Sequence, residues 1–193
     1  MSSFPGAPVL VEVPAGSRYA RIYDRRYYRE GTQLRAFGPQ PRGRWDHFPP
    51  GAPRPSATLG VLYLAGSLVT ATAEVFGDTR RVAPRPEQRL AAIVLERRVL
   101  LADTRGRAAV ELGVPAGALR SRDRALTQAV SRELHATTRA DGVLFESWHT
   151  GDPCVCLWER AADAVALEDD RPLLDPLVLA DLTVAAVELY YET

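Results

Sequence analysis

Glu74 is the one charged residue in a stretch otherwise built of apolar and small residues, Leu68-Val69-Thr70-Ala71-Thr72-Ala73-Glu74-Val75-Phe76. Leu68, Ala71, Val75 and Phe76 recur at helical spacing, which predicts a helix with Ser67 as its N-cap and Gly77 at its end. A carboxylate beside such a stripe either snorkels at the helix edge or is held in a cleft for chemistry. Upstream, Arg42-Gly43-Arg44-Trp45-Asp46 sets a glycine between two arginines and ahead of a large aromatic. Arg44 there has two readings: a guanidinium offered to a ligand, or one that orders its own loop by stacking on Trp45 or pairing with Asp46. Ser147 and His149 raise a nucleophile–base pair, but they share one strand edge and no GxSxG elbow precedes them, so serine hydrolysis is not expected. All 24 basic residues are arginine, which removes lysine chemistry, and neither GxGxxG nor GKT/S occurs to mark a Rossmann or P-loop nucleotide site.

The elements that must position these residues follow from periodicity and punctuation. Val61-Leu62-Tyr63-Leu64-Ala65 is an apolar run of strand length ahead of Gly66, and Tyr63 in it is either core or a site aromatic. Residues 17–23 read as a strand, in which Arg18 and Arg21 would ordinarily face solvent. Residues 1–16 form a lead-in with a short edge strand at Val9–Val13, and 17–193 the main domain. The Gly/Pro-rich stretch 31–59 is too long and too broken for regular structure, though Trp45 and Phe48 argue for an ordered functional loop. Further on, 88–103 reads as two strands or one bent strand, with a helix as the alternative. A short helix is expected at 107–112 and a firmer one at 122–138. Strands are expected at 143–145, after the Asp141-Gly142 turn, and at 154–159. The tail adds strands at 164–167 and 182–191, with acidic, Pro-containing turns between them. The pattern is α+β, with strands outnumbering helices.

Composition narrows the function classes. Net charge is zero, so no electrostatic footprint for nucleic acid or anionic membrane is present. No apolar run approaches the roughly 18 residues needed to span a bilayer, and no secretory leader is evident, so a cytoplasmic protein is expected. Cys154 and Cys156 alternate with Val155 and Leu157 and are expected as buried thiols on one strand face. His47, His135 and His149 share no ligand spacing with them, so no structural metal is expected.

Four pieces stand in a telling order: Ala20-Arg21-Ile22-Tyr23, Gly43-Arg44-Trp45, Leu62-Tyr63-Leu64-Ala65 running on to Glu74, and Asp141-Gly142-Val143-Leu144-Phe145-Glu146-Ser147. Together they resemble the RES-domain family over roughly residues 17–160, and Gln128-Ala129-Val130 fits the family's pattern ahead of the DG turn. The resemblance implies a fold similar to ADP-ribosyltransferases and an enzyme that cleaves NAD, by hydrolysis or phosphorolysis, between nicotinamide and ribose. It implies that Arg21, Glu74 and Ser147 take the family's three named roles, with Arg44 and Tyr63 as supporting substrate-binding residues. NAD is then substrate, with no further cofactor or metal. The family's usual setting implies the toxin of a type II toxin–antitoxin pair and a small DNA-binding antitoxin that blocks the pocket near Arg21 and Arg44. Ile22, where some members carry tyrosine, and Glu146, where small residues or proline are common, depart from the pattern. The chemistry suits these residues: Glu74 can stabilise the oxocarbenium character of the ribose, Arg21 or Arg44 can meet the pyrophosphate, and Tyr63 offers a flat face and a hydroxyl to nicotinamide. The alternatives are an ADP-ribosyltransferase acting on a macromolecule, though no second acid stands near Glu74 as an E-x-E pair, and a catalytically silent RES-fold binding domain.

Overall fold

The alternating strands and glycine-bounded runs fold into the expected α+β arrangement. The computed structural model describes residues 5–36, 43–49, 56, 58–120 and 124–193. Residues 37–42, with Arg42, and 50–55 and 57 of the irregular stretch expected within 31–59 lie outside these, as does the first part of the helix expected from 122. In chain order the elements are β1 (Val9–Val13), β2 (Arg18–Asp24), β3 (Arg35–Ala36), β4 (Gly60–Ala65), α1 (Leu68–Phe76), β5 (Gln88–Leu95), β6 (Val99–Asp103), α2 (Gly106–Glu111), α3 (Ala116–Leu119), α4 (Arg124–Thr137), β7 (Gly142–Glu146), β8 (Pro153–Trp158), a 3-10 helix (Glu159–Ala164), β9 (Val165–Pro172) and α5 (Pro176–Leu189).

The strands form one mixed sheet in the order β1-β6-β7-β8-β4-β2-β5-β9, with β3 beside β4. Among the described strands only β6 and β7 run parallel, and the other strand pairings are antiparallel. Strand alternation sends Val61, Ala65, Cys154, Cys156, Trp158, Val143 and Phe145 into one core beneath α4, while Leu62, Leu64, Val155 and Leu157 meet Ile93, Leu95 and Leu101 in a second. The two cysteines therefore share a face, free and buried. Strands β2 and β4 touch at a single register pair, Ala20↔Ala65, and beyond it β4 pairs with β3 through Arg35↔Val61. The sheet thus has a seam at its centre, and α1 lies against β2 and β4 beside it.

Two tail expectations need correction. Residues 182–191 do not form a strand; 182–189 belong to α5, which Tyr190 caps in a left-handed conformation. Asp175 caps that helix by accepting from the Leu177 amide at 2.9 Å, and Pro176 occupies the first turn, where its missing N–H is not required. The buried residues Val178, Leu182, Ala185 and Ala186 follow helical, not strand, spacing and pack toward Phe76 of α1. Packing on α1 therefore overrides the β propensity of Thr183-Val184. Strand β9 also extends across Glu168-Asp169-Asp170, the acidic run expected as a turn. Cross-strand partners hold it: Arg18 pairs with Glu168 at 2.7 Å and Arg89 with Asp170 at 2.8 Å.

Candidate active site

The seam between β2 and β4 is where the expected site residues gather. A cavity of about 610 Å³ is lined by Arg35, Gly43, Arg44, Tyr63, Glu74 and Phe145, with Trp148 and His149 at its side. A second, of about 270 Å³, is lined by Arg21, Tyr23, Tyr28 and Val75 together with the same Arg35, Tyr63, Glu74 and Phe145. The shared residues make the two compartments neighbours, and Glu74 stands at their boundary.

Glu74 projects from α1, whose N-cap forms as expected: Ser67 Oγ accepts from the Thr70 amide at 3.1 Å. Thr70 Oγ1 in turn donates to Asp152 at 3.0 Å, tying the helix start to the turn before β8. Glu74 is exposed, and one oxygen accepts from Ser147 Oγ at 2.6 Å. Ser147 is fully buried, and its Oγ also accepts from the His149 and Thr150 amides at 3.2 and 3.3 Å. The serine therefore has a fixed orientation and presents its one proton to Glu74. Gly77 at the end of α1 leaves no room for a side chain, because a Cβ there would lie 2.4 Å from His149 Nδ1.

Arg44 is held over the Phe145 ring, 5.1 Å from its centroid, while Nη2 donates to the Glu146 carbonyl at 2.9 Å. Its buried Nη1 has no hydrogen-bond partner among the described residues. Burial lowers its pKa and the charge of Glu74 opposes that. Arg44 lines the larger cavity, where its half-buried guanidinium can meet an anion. Because Arg44 uses the backbone carbonyl of Glu146, the Glu146 side chain is free to pair elsewhere, and it meets Arg120 at 3.1 Å. The departure at that position therefore leaves the Arg44 contact intact.

Tyr63 and the GRW loop are built together. The Tyr63 hydroxyl donates to Asp46 Oδ1 at 2.9 Å and accepts from the Trp45 amide at 2.8 Å. Burial pushes its phenol well above the ordinary range. Its hydroxyl is thus engaged by the loop, and what it turns toward the cavities is the ring. Asp46, fully buried, also accepts from the Gly43 amide at 3.0 Å and forms an ion pair with Arg35. A Cβ on Gly43 would lie 2.3 Å from the Tyr63 hydroxyl, so the motif needs glycine at that point. Helix α4 closes the arrangement from behind: Gln128 Nε2 donates to the Gly43 carbonyl at 2.9 Å and Ser131 Oγ to the Trp45 carbonyl at 2.8 Å.

Arg21 lies in the smaller compartment, on the strand face it shares with Tyr23. Its Nη1 donates to the carbonyls of Gly31 and Gln33 at 2.6 and 2.9 Å. Its guanidinium lies over Tyr28 at 4.5 Å and Tyr23 at 5.7 Å. Burial lowers its pKa. Arg21 therefore fastens the 25–33 loop into an aromatic wall. Ile22, on the other face, packs toward α1 and α5, and the aromatic contact to Arg21 comes from Tyr23 and, at closer range, from Tyr28.

Sequence reasoning passed over Arg35, Tyr28, Phe145, Ser131 and the contact made by Gln128, and it offered Asp46 as a partner for Arg44 where the structure pairs Asp46 with Arg35. Asp46 had a usable signal, an acid directly after Gly43-Arg44-Trp45. Gln128 and Ser131 had a weaker one, two polar residues at i and i+3 on the inner face of a helix. A further group carried no signal at all. His47 Nε2 lies 3.0 Å from Glu159 Oε2 and His135 Nε2 lies 2.7 Å from Glu159 Oε1, across sequence separations of 112 and 24 residues.

Among known proteins, no curated sequence matches the chain. A chain of the crystal structure of the M. tuberculosis MbcT–MbcA toxin–antitoxin complex shares its fold, with a TM-score of 0.62 at 17% identity over 90% of this chain and 92% of that one. The RES domain model matches residues 18–176, which takes in the seam, α1, the GRW loop and Ser147. The chain belongs to the RES domain family.

Proposed function

We propose that the protein degrades NAD by breaking the bond between nicotinamide and ribose, and that it serves as the toxin of a toxin–antitoxin pair. The observation that carries the chemistry is the position of Glu74, held by Ser147 at 2.6 Å where two neighbouring compartments meet, each lined by arginine and aromatic side chains. NAD carries an anionic pyrophosphate at one side of a ribose and a flat ring at the other, groups that arginine and aromatic side chains respectively can meet. Arg44 and Arg35 take the phosphates in the larger compartment, which both line. Tyr63, Phe145 and the Arg21-braced Tyr23 and Tyr28 take the ring in the smaller one. As the glycosidic bond lengthens, its electron pair leaves with the nicotinamide nitrogen and positive charge grows on the ribose. The Glu74 carboxylate is placed to stabilise that charge, and the Ser147 hydrogen bond keeps it aimed. Water or phosphate then adds at the anomeric carbon, giving ADP-ribose or its 1-phosphate.

The solved complex supports the partner: a toxin of this fold is there bound to an antitoxin. The partner of this chain is an antitoxin that covers the mouth of the larger cavity beside Arg44. Purified protein with NAD should release free nicotinamide in step with ADP-ribose or ADP-ribose 1-phosphate, and labelled NAD should leave no label on protein. Stable labelled protein in amounts matching the nicotinamide would establish the transferase instead.

A further inference from the structure

We propose that His47, His135 and Glu159 form a site for a divalent ion of the zinc class, which ties the loop bearing Arg44 to the body of the domain. The three come from separate parts of the fold. His47 follows Trp45 in the GRW loop, His135 lies in the last turn of α4, and Glu159 opens the 3-10 helix after β8. Their ligand atoms all lie within 4.8 Å of one another. Each imidazole turns the same nitrogen, Nε2, toward one carboxylate, at 3.0 Å for His47 and 2.7 Å for His135.

Two imidazoles and a carboxylate are the donor set that zinc accepts, at bonds of about 2.0–2.2 Å. Tetrahedral bonds of that length set ligand atoms about 3.3 Å apart, so the nitrogen–oxygen distances of 3.0 and 2.7 Å must each open by less than about 1 Å. The two rings stack with centroids 4.1 Å apart and planes 25° from parallel, and aiming both nitrogens at one ion requires one ring to tilt. His135 is the ring with room to do so, since its side chain keeps 20% exposure while that of His47 keeps 1%. The exposed edge formed by His135 and Glu159 also gives the ion its entry and leaves a fourth position for water, as a three-ligand zinc site requires. On the inner side Trp158 packs against both rings, 5.4 Å from His47 and 5.1 Å from His135, giving the apolar surround that limits competing water. Loading is a ligand exchange without redox change: the ion takes the Nε2 lone pairs, and the hydrogens now donated to Glu159 move to Nδ1 or to solvent. It joins three segments far apart in sequence, one of them two residues from Trp45, so it constrains the same loop that Tyr63, Asp46 and Gln128 hold from the cleft side.

The test uses the full chain after treatment with a chelator, with Zn²⁺ alone as the probe and Co²⁺ as its spectroscopic substitute. One equivalent of Zn²⁺ should bind by calorimetry, and a hundredfold excess over Kd should raise Tm by about 5–10 °C. Co²⁺ should give the visible absorption of a four-coordinate site. Glu159→Gln and His135→Gln should each remove the shift and the absorption while keeping the far-UV spectrum. Should Glu159→Gln not fold, His135→Gln decides the matter, since the His135 side chain sits on a helix and is only partly buried, with 20% exposure. His149→Ala, which alters the cleft, should bind as the unsubstituted chain does. No Zn²⁺-dependent shift in the unsubstituted chain, a shift that survives His135→Gln, or one lost in His149→Ala would overturn the assignment.

Discussion

In the proposed reaction Ser147 and Glu74 divide the labour between orientation and charge. Ser147 is fully buried and accepts two backbone amides, which leaves its proton for the exposed Glu74. A hydrogen bond to a charged group contributes about 1.5–3 kcal/mol, so Ser147→Ala should slow single-turnover NAD cleavage by roughly 10- to 100-fold, with NAD affinity changing far less. An unaltered cleavage rate in that variant would remove Ser147 from the account. Tyr23 yields a separate test on the far side of the seam. Burial, then the hydrogen bond to Asp170 at 2.7 Å, pushes its phenol up to about 12. In the unfolded chain a tyrosine titrates near about 10. The folded state therefore holds the proton more tightly, and this contribution to stability is full below pH 10 and lost as pH rises through about 12. Urea unfolding midpoints should fall between pH 10 and 12, and less steeply for Tyr23→Phe. Superimposable pH profiles for the two proteins would contradict this.

Helix α1 carries Glu74, yet little of its own sequence holds it in place. Its outer flank is covered by α5, through Leu182, Ala186 and Val178 against Phe76. Leu182 is 1% exposed, and truncating such a leucine costs about 2–5 kcal/mol. Leu182→Ala should lower Tm by roughly 5–15 °C, by the slope expected for a chain of this size, and should raise amide exchange in α1 as well as α5. Unchanged protection in α1 would mean that α5 does not support the site helix. This element is also where the sequence misled. The run 182–191 is rich in valine and aromatics and nearly featureless in amphipathic pattern, since valines occupy both the buried and the exposed side of α5. Its helical signal was short-range, Asp175 and Pro176 at the cap, and easily outweighed by composition. By contrast α1, β4 and β7 were legible because glycines bound them and their apolar residues match one period. The site was legible to the same degree. Glu74, Arg44, Tyr63 and Ser147 stand in motifs, whereas Arg35, Tyr28, Ser131 and Glu159 gain their places through contacts that only the folded sheet makes.

At the scale of the molecule, the sheet provides a cleft without a separate second domain. Where β2 and β4 part after Ala20↔Ala65, backbone that would otherwise be paired gives way to side chains from both strands, from α1 and from the GRW loop. Although the chain is neutral overall, arginine and aromatic side chains line both compartments, Arg44 in the larger, Arg21 in the smaller and Arg35, Tyr63 and Phe145 in both. No helix among the described residues is long and apolar enough to cross a membrane. The whole arrangement converges on one carboxylate, and the most direct test is the charge it carries. Glu74→Gln preserves shape and can still accept from Ser147, but it removes the negative charge needed only once the ribose becomes cationic. Single-turnover cleavage of NAD, measured beside a binding isotherm for each protein, should show a rate on the order of a hundredfold lower in the variant with affinity little changed. Cleavage at the unsubstituted rate would show that Glu74 is not the stabilising group, and the assignment of the cleft would be wrong.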